Sequence, residues 1–323
     1  MNFQGLSKIE DSQFYLDTAI RHSRKIGEAV FRQTSGLQFD RIRKTEIEKL
    51  KSCTKVLTEK FGLILKNFPS LDGMSEFYQE LVRSTLDYDN IKKSLGALKW
   101  ASDNISRLSK EFEKRLRRSK DKGEINILMR GYYGRTSSIV KQVDKNLRYL
   151  DHARMAMRDY PTIKTDLYTV AITGFPNIGK STLLSKLTPA KPKIEDYPFT
   201  TIGLNQGYSS YGTRKIQFVD TPGVLGRDKK NAIEQQAYLV LKYLANLIVY
   251  IIDLTEPYVL KKQEELLKGL REYEKPTIVY LSKSDVLEKK LVDKYKRKYK
   301  ATISIDEVNK KIEKAIKEYY FEK

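Results

Sequence analysis

Residues 174–181 read Gly174-Phe175-Pro176-Asn177-Ile178-Gly179-Lys180-Ser181, and Thr182 follows them. This stretch matches G-x-x-x-x-G-K-[ST], the pattern of a phosphate-binding loop, and the apolar residues 168–173 before it predict a buried strand. The glycines let the backbone curl so that its N–H groups face a diphosphate, beside the N-terminus of the next helix. Lys180 can reach the outer phosphates and the Ser181 hydroxyl can bind magnesium. The sequence therefore predicts a nucleoside triphosphate site.

A second element of such a site lies about forty residues further along the chain. Asp220-Thr221-Pro222-Gly223 directly follows an apolar segment at residues 216–219, which predicts another strand. Its carboxylate can hold magnesium through water, and the N–H of Gly223 can contact the terminal phosphate. We therefore expect Asp220 and Gly223 to face the phosphate loop.

The third element predicts which base the nucleotide carries. Ser282-Lys283-Ser284-Asp285 follows a strand-like segment at residues 277–281. Asp285 can accept two hydrogen bonds from the guanine edge, and the stem of Lys283 can cover the base. Since the three elements occur in this order and each follows a strand, the sequence predicts a site for GTP and GDP.

A last base contact is predicted near residues 302–305. These residues follow Asp285 at a reasonable distance, so that Ser304 and the N–H of Ile305 could meet the guanine carbonyl. This contact rests on spacing alone.

The segment between the phosphate loop and Asp220 predicts how the site senses the terminal phosphate. Thr200 and Thr201 compete for the role of a mobile threonine that closes over magnesium and that phosphate. Val224 stands where Ras-like enzymes carry the glutamine that orients the attacking water, so hydrolysis should be slow and borrow a group from a partner, a reorganised loop or a cation. Asn177 could bind potassium beside the diphosphate; alternatively, it only accommodates a left-handed turn.

Composition limits the class of protein. The chain has 323 residues, enough for two domains, and no apolar run approaches the ~18 residues of a membrane span. Its N-terminus lacks the apolar stretch of a signal peptide. One cysteine, Cys53, and two histidines, His22 and His152, argue against disulfides and zinc. We expect a soluble, cytoplasmic monomer with no membrane partner.

The strong positive charge predicts a polyanionic partner. The formal net charge is +20, and the alternative is a solvated, charge-rich surface of the kind that thermophiles use. The run from Arg107 to Lys122 contains Arg115, Arg117 and Arg118, and we favour it as an RNA contact. Positions 115 and 118 are one turn apart, so a helix there would present a cationic ridge. In a second run, residues 294–300, tyrosines alternate with cations and could stack on unpaired bases, unless they simply pack.

The chain changes character near Pro161. Before it, apolar residues recur at helical spacing over residues 9–31, 40–66, 75–113 and 137–158. After it, strands at 168–173, 204–211, 214–219, 246–252, 277–281 and 301–305 alternate with helices at 181–187, 231–244, 259–273, 288–299 and 306–320. We predict an N-terminal antiparallel helical bundle, residues 1–162, followed by a P-loop GTPase domain with a mostly parallel sheet, residues 163–323.

These motifs resemble known GTPases. Three segments resemble the Obg-related branch of translation GTPases. They are the phosphate loop, Tyr197-Pro198-Phe199-Thr200-Thr201 and Asp220-Thr221-Pro222-Gly223-Val224. The N-terminal half resembles the Nog family of nucleolar GTP-binding proteins through Asp40-Arg41-Ile42-Arg43-Lys44, Phe77-Tyr78, Leu86-Asp87-Tyr88-Asp89, Leu95-Gly96 and Tyr149-Leu150-Asp151. The likeness extends over residues 1–285.

The resemblance implies partners and roles. The partners would be the large ribosomal subunit or its precursor and its rRNA, with no DNA, and the helical domain would dock on the RNA. Thr201, rather than Thr200, would be the mobile threonine that binds magnesium and acts with Lys180 and Gly223 in hydrolysis. Ser282 replaces the usual asparagine, so guanine affinity should fall. The missing C-terminal extension of eukaryotic relatives favours a compact archaeal-type member.

Three functions are compatible with the sequence. The leading one is a slow GTPase that acts as a timing switch during large-subunit assembly. The second is a non-catalytic RNA-binding scaffold whose site holds GDP structurally, which Val224 and Ser282 permit. The third is a GTPase that controls a protein partner in translation or stress signalling.

Overall fold

The computed structural model describes residues 3–189, 193–195, 204–222, 232–255 and 259–321. Its contacts divide the chain into two compact units. One holds residues 3–73 and 85–158, and the other holds residues 74–84 together with the chain from Asp159 onward. Among the helices of these ranges, none is both long and apolar enough to cross a membrane.

The N-terminal half is helical, as the periodicity predicts. Its helices are α1 Ser12–Gln33, α2 Gln38–Asn67, α3 Glu76–Thr85, α4 Tyr88–Arg118, α5 Lys122–Gln142 and α6 Asp144–Arg158. The single helix predicted over residues 75–113 is thus two helices. Asp87 separates them because its carboxylate accepts a hydrogen bond from the N–H of Asn90 at 3.0 Å and caps α4.

Helices α1 and α2 are antiparallel neighbours, joined by a short connection. The rings of Tyr15 and Phe61 lie 5.7 Å apart, and further along α1 the ring of His22 bonds the Ser52 hydroxyl at 2.9 Å. The later residue of α1 thus contacts the earlier residue of α2, as in antiparallel packing. The bundle predicted from the sequence is confirmed.

The helix predicted over residues 137–158 is interrupted at Val143. Val143 ends α5 with φ −96° and ψ 9°, and α6 starts at the next residue. The apolar residues Val143, Leu147, Leu150 and Met157, on both sides of the interruption, are nevertheless all buried. Gly123, a poor helix former, lies in the first turn of α5, where its flexibility costs little.

Asp144 ties the start of α1 to the start of α6. Its carboxylate accepts hydrogen bonds from the Ser12 N–H at 2.9 Å and the Arg148 Nε at 2.7 Å. The hydrogen bonds from Ser12, followed by the contact with Arg148, lower the pKa of Asp144 to about 2. Since this pKa lies below the unfolded value of about 3.9, the ionised carboxylate stabilises the fold at neutral pH.

We expect Asp144→Ala to lower the free energy of unfolding of the helical unit by about 1–2 kcal/mol at pH 7. The folded-state pKa is depressed, so this contribution is complete above pH ~4 and is lost as pH falls toward about 2. Urea unfolding followed by circular dichroism, at pH 7 and at lower pH, measures the difference. Asp17→Ala is the control, because within the described part of the chain Asp17 accepts an exposed hydrogen bond from Gln13 on its own helix.

The C-terminal half is built on one sheet. Its strands are β1 Thr169–Thr173, β2 Lys193–Glu195, β3 Leu204–Tyr211, β4 Arg214–Asp220, β5 Leu247–Asp253 and β6 Thr277–Ser282, in the spatial order β2-β3-β4-β1-β5-β6. Strands β4, β1, β5 and β6 are parallel, whereas β3 pairs antiparallel with β4 as a hairpin. All residues of β1 and β5 are buried, as expected for a parallel sheet covered on both faces.

The helices of this half are α7 Lys180–Leu187, α8 Ala232–Leu239, α9 Leu260–Gly269, α10 Lys289–Tyr299 and α11 Ile305–Phe321. A π-helical turn, Val240–Leu244, extends α8, and a 3-10 turn, Leu270–Tyr273, extends α9. The core beside β1 contains Leu184 of α7 and Ile312 of α11 with Val170 and Ile172. The predicted fold class, helical bundle and mostly parallel GTPase sheet, is confirmed.

The strand predicted over residues 301–305 is wrong. Only Thr302 forms a parallel bridge, to Tyr280 of β6, and Ile305 already begins α11. Thr302 donates its N–H to the Val279 carbonyl at 2.9 Å. Residues 301–305 therefore contribute a single bridge beside β6 before α11 starts.

Candidate functional site

The phosphate loop has the backbone that its glycines permit. Gly174 has φ +145°, and a Cβ there would lie 2.9 Å from the Ile251 carbonyl oxygen, closer than real Cβ contacts allow. Gly179 has φ +96° and caps α7, while Asn177 has φ +60°. The left-handed alternative for Asn177 thus fits this backbone, and its potassium role stays a prediction. Ile178, fully buried, anchors the loop in the core.

The side chain of Lys180 lies against the phosphate loop. Its side chain is buried, with 8% exposure, and Nζ donates a hydrogen bond to the Phe175 carbonyl oxygen at 2.7 Å. Burial lowers the pKa of Lys180, and the nearby Asp220 carboxylate opposes this effect. The ammonium group therefore lies folded over the loop that the sequence predicts for the diphosphate. The next two residues, Ser181 and Thr182, lie in the first turn of α7 and are exposed.

Ser181 and Asp220 meet at the carboxyl edge of the sheet. The Ser181 hydroxyl donates to Asp220 Oδ2 at 2.5 Å, and Asn205 Nδ2 donates to the same oxygen at 3.1 Å. Burial raises the pKa of Asp220, while the hydrogen bonds from Ser181 and Asn205 lower it. Asn205 lies directly opposite Asp220 in the β3–β4 hairpin, and sequence reasoning missed it. The register of the β3–β4 hairpin would have indicated that Asn205 lies beside Asp220.

The donor set fits a hard cation. Asp220 Oδ1 is buried and lacks a hydrogen-bond partner among the residues that the structure describes. Magnesium prefers hydroxyl, carboxylate and water oxygens, and Ser181 places a hydroxyl beside this carboxylate. An orphaned carboxylate oxygen needs a donor or a cation to offset its burial. These two residues would hold the metal.

The base-reading loop begins where β6 ends beside β5. Asp253 is the register partner of Ser282, whose hydroxyl lies 3.4 Å from the Ile252 carbonyl oxygen. A Cβ on Gly179 would lie 4.0 Å from the Ser282 Cβ, so this loop borders the phosphate loop. The serine hydroxyl reaches its own sheet, and no hydrogen bond from it to the phosphate loop occurs in the described chain.

Lys283 and Asp285 follow at the same edge. Lys283 has φ +51° and its Nζ lies 2.6 Å from Asp253 Oδ2. Asp285 is exposed in the 3-10 turn Ser284–Val286, so its carboxylate is accessible to a base. Asp253 was not singled out from the sequence, and an acid that ends a buried strand would have been its signal.

Ser304 and Ile305 lie at the start of α11. The Ser304 hydroxyl accepts a hydrogen bond from the Asp306 N–H at 3.2 Å, and its carbonyl accepts one from Val308 at 3.1 Å. Ser304 therefore has a capping role at the N-terminus of that helix. Their guanine contact stays a prediction.

Four residues of the predicted chemistry lie outside the described residues. They are Thr200, Thr201, Gly223 and Val224. Among the predicted residues that are described, Phe175 is buried, Pro176 is half-buried and Gly179 borders Ser282. The structure thus brings together the phosphate loop, Asp220 and the base-reading loop at the carboxyl ends of β1, β4 and β6.

The predicted RNA ridge lies at the C-terminal end of α4. Arg117 pairs with Glu113 at 2.6 Å, and Arg115 pairs with Glu111 at 3.5 Å. Arg118 has no ion pair within the part of the chain that the structure describes. All three arginines are exposed, but Arg115 and Arg117 each pair with an acidic neighbour, and the RNA contact stays a prediction.

The second cationic run, on α10, is more strongly engaged in packing. The rings of Tyr295 and Tyr299 stack at 5.8 Å with an interplanar angle of 17°. The Tyr299 hydroxyl bonds Glu264 of α9, and Lys298 pairs with the same carboxylate at 2.5 Å. These contacts agree with the packing alternative for the tyrosines.

Two family models match the chain. The one described as the NOG1 N-terminal helical domain matches residues 3–164, and the one described as a 50S ribosome-binding GTPase matches residues 169–283. The first alone covers half of the chain. The join between them falls next to Pro161, where the sequence pattern changes.

Individual relatives agree with these matches. The chain is 39% identical over 252 residues to the uncharacterized protein MJ1408 of Methanocaldococcus jannaschii, covering 76% of this chain and 71% of that protein. It is 33% identical to nucleolar GTP-binding protein 1 of Encephalitozoon cuniculi, covering 76% of this chain and 48% of that one.

The chain thus spans about half the length of that nucleolar relative. Among solved structures, the G domain of the T. maritima FeoB iron transporter is 26% identical, with a TM-score of 0.35, covering 40% of this chain and 82% of that one. The family predicted from the motifs is confirmed by the family models. The chain belongs to the Nog family of GTP-binding proteins and carries its helical domain before a GTPase domain.

Proposed function

We propose that this protein is a slow GTPase that acts as a switch in the biogenesis of the large ribosomal subunit by binding rRNA. The observation that carries the proposal is the meeting of the phosphate loop, Asp220 and the base-reading loop at one sheet edge, within a family of nucleolar GTP-binding proteins. The protein would act in the cytoplasm on the subunit or its precursor.

The described residues supply binding and electrostatics for hydrolysis. When nucleotide binds, the Lys180 ammonium group would leave its hydrogen bond to the Phe175 carbonyl and contact the outer phosphates. These phosphates would lie at the N-terminus of α7, where the helix dipole favours negative charge. Ser181 and Asp220 would hold magnesium, which neutralises charge that develops on the phosphates. Hydrolysis would be slow because Val224 offers no group to orient water, and Asn177 would recruit potassium in compensation.

We expect Ser181→Ala to weaken magnesium binding at the nucleotide site by about ten- to a hundredfold. The magnesium concentration that supports half-maximal nucleotide binding should rise by the same factor. The substitution removes a hydroxyl ligand and leaves Asp220 Oδ2 without its 2.5 Å donor. A magnesium titration of a fluorescent GTP analogue measures the shift. Ser185→Ala, one turn further along α7, removes only a hydroxyl that bonds the Ser181 carbonyl at 3.0 Å, and should behave like the wild type.

Replacing Arg115, Arg117 and Arg118 with glutamine tests the RNA contact. Each phosphate contact that is lost should reduce the log-salt slope of binding by about one unit, so the triple variant should lose up to about three. The measurement is sedimentation with purified large ribosomal subunits across a salt series.

A matched change of charge on α10 is the control for that experiment. Lys294→Gln, Arg297→Gln and Lys300→Gln remove the same formal charge from the alternative run. An unchanged slope for the α4 variant would remove the ridge from the interface. A reduced slope for the α10 variant alone would move the RNA contact to the GTPase domain.

A further inference from the structure

Asp253 is a buried carboxylate whose position is fixed from several sides. It ends β5 with a fully buried side chain. Its Oδ1 accepts hydrogen bonds from the Thr255 N–H at 2.9 Å and the Thr255 hydroxyl at 2.6 Å. Its own N–H and carbonyl both bond the Gln263 side-chain amide, at 3.0 and 2.9 Å. The backbone and one carboxylate oxygen are therefore held rigidly.

The other carboxylate oxygen faces a cation of the base-reading loop. Asp253 Oδ2 lies 2.6 Å from Lys283 Nζ, and the lysine side chain is 42% exposed. A buried carboxylate without a counter-charge destabilises the folded protein. The ion pair is therefore favoured, and it restrains the lysine as well as the acid. Since Asp253 is opposite Ser282 in the β5–β6 register, Lys283 reaches back from its loop toward the end of β5.

We propose that Asp253 is a positioning residue for guanine-nucleotide binding, acting by holding Lys283 across the sheet edge so that its aliphatic stem forms a preset surface for the base. The inference rests on the proposed nucleotide site, in which Lys283 covers the base. Its ligand class is a purine nucleoside di- or triphosphate.

The base-reading loop needs such a restraint. The Ser282 hydroxyl lies 3.4 Å from the carbonyl of Ile252, a long contact, and does not tie the loop to the phosphate loop among the described residues. A free lysine would lose rotamer freedom when a base packs against it, whereas a lysine already held by Asp253 loses little. The buried acid therefore compensates for the serine.

Asp253→Asn tests the proposal because it removes the charge and keeps the shape of the side chain. We expect it to weaken the affinity for a fluorescent GDP analogue by about three- to tenfold. Lys283→Met should produce a similar loss. The double variant should be no weaker than the weaker single variant, because Asp253 acts only through Lys283. A merely structural role for Asp253 would instead give losses that add.

Glu264→Gln is the matched control, since it breaks an ion pair of similar length between Glu264 of α9 and Lys298 of α10, and it should leave GDP affinity unchanged. Circular dichroism reports folding. If Asp253→Asn fails to fold, Thr255→Val, which removes one hydrogen bond to Asp253 Oδ1, should still weaken GDP binding. It should do so by less in a protein that also carries Lys283→Met.

Two results would overturn the inference. Unchanged or tighter GDP binding by a folded Asp253→Asn protein would show that the pair does not prepare the lysine. Additive losses would show that the acid acts without it. Both leave the proposed guanine-nucleotide site standing, and that site fails instead if the wild-type protein binds no guanine nucleotide.

Discussion

Lys180→Ala is expected to reduce single-turnover GTP hydrolysis by about a hundredfold or more. The ammonium group is almost wholly buried and lies 2.7 Å from the Phe175 carbonyl, inside the loop that would surround the diphosphate. In this low-dielectric site a fixed positive charge stabilises the transferring phosphoryl group far more than in water. Phosphate release with ribosomal subunits and potassium present measures the effect.

Lys186→Ala is the control, because Lys186 lies exposed in the last turn of the same helix, α7. It should keep wild-type turnover. If the wild-type protein turns over GTP no faster than Lys180→Ala, even with subunits and potassium, the switch is refuted in favour of a scaffold that holds GDP structurally.

Asp285→Asn is expected to shift preference from guanine toward xanthine nucleotides, changing the ratio of their affinities by at least about a hundredfold. The carboxylate is exposed in a short 3-10 turn next to Lys283, where it can accept two hydrogen bonds from guanine. An amide cannot accept both and offers a donor instead, so guanine leaves polar groups unpaired. Competition between GDP and XDP for a bound fluorescent nucleotide gives the ratio.

Asp293→Asn provides the comparison for that substitution, since Asp293 is an exposed acid on α10. Its selectivity should remain that of the wild type. Retained guanine selectivity in Asp285→Asn would contradict the assignment of the base-reading loop.

The phosphate loop was predictable because its chemistry is local. A buried strand, two glycines with positive φ and the start of α7 occupy one short stretch, and the structure places them as the pattern predicts. The positions of Asp220 and Ser282 also followed, since parallel strands bring their carboxyl ends to one edge.

Contacts that depend on register were not predictable from the sequence. Asn205 reaches Asp220 only through the exact pairing of β3 with β4, and Asp253 reaches Lys283 only because β5 and β6 end together. In the same way, residues 74–84 belong with the C-terminal unit because the Tyr78 hydroxyl bonds the Pro161 carbonyl at 2.8 Å, eighty-three positions away.

Helix boundaries failed where propensity and tertiary context disagree. Gly123 is a poor helix former but lies in the first turn of α5, where Asp121 caps the helix by accepting the Glu124 N–H at 2.9 Å. Val143, a residue with no breaking signal, ends that helix instead. At residues 301–305, the requirement for a helix against the core outweighs β propensity.

In the function that we propose, GTP controls the binding of this protein to ribosomal RNA. Sedimentation of the wild-type protein with purified large ribosomal subunits across a salt series, with GDP or with a non-hydrolysable GTP analogue, tests it most directly. We predict tighter and steeply salt-dependent binding with the analogue. Equal binding in both nucleotide states, or no binding at low salt, would show that GTP does not control binding to ribosomal RNA in this protein.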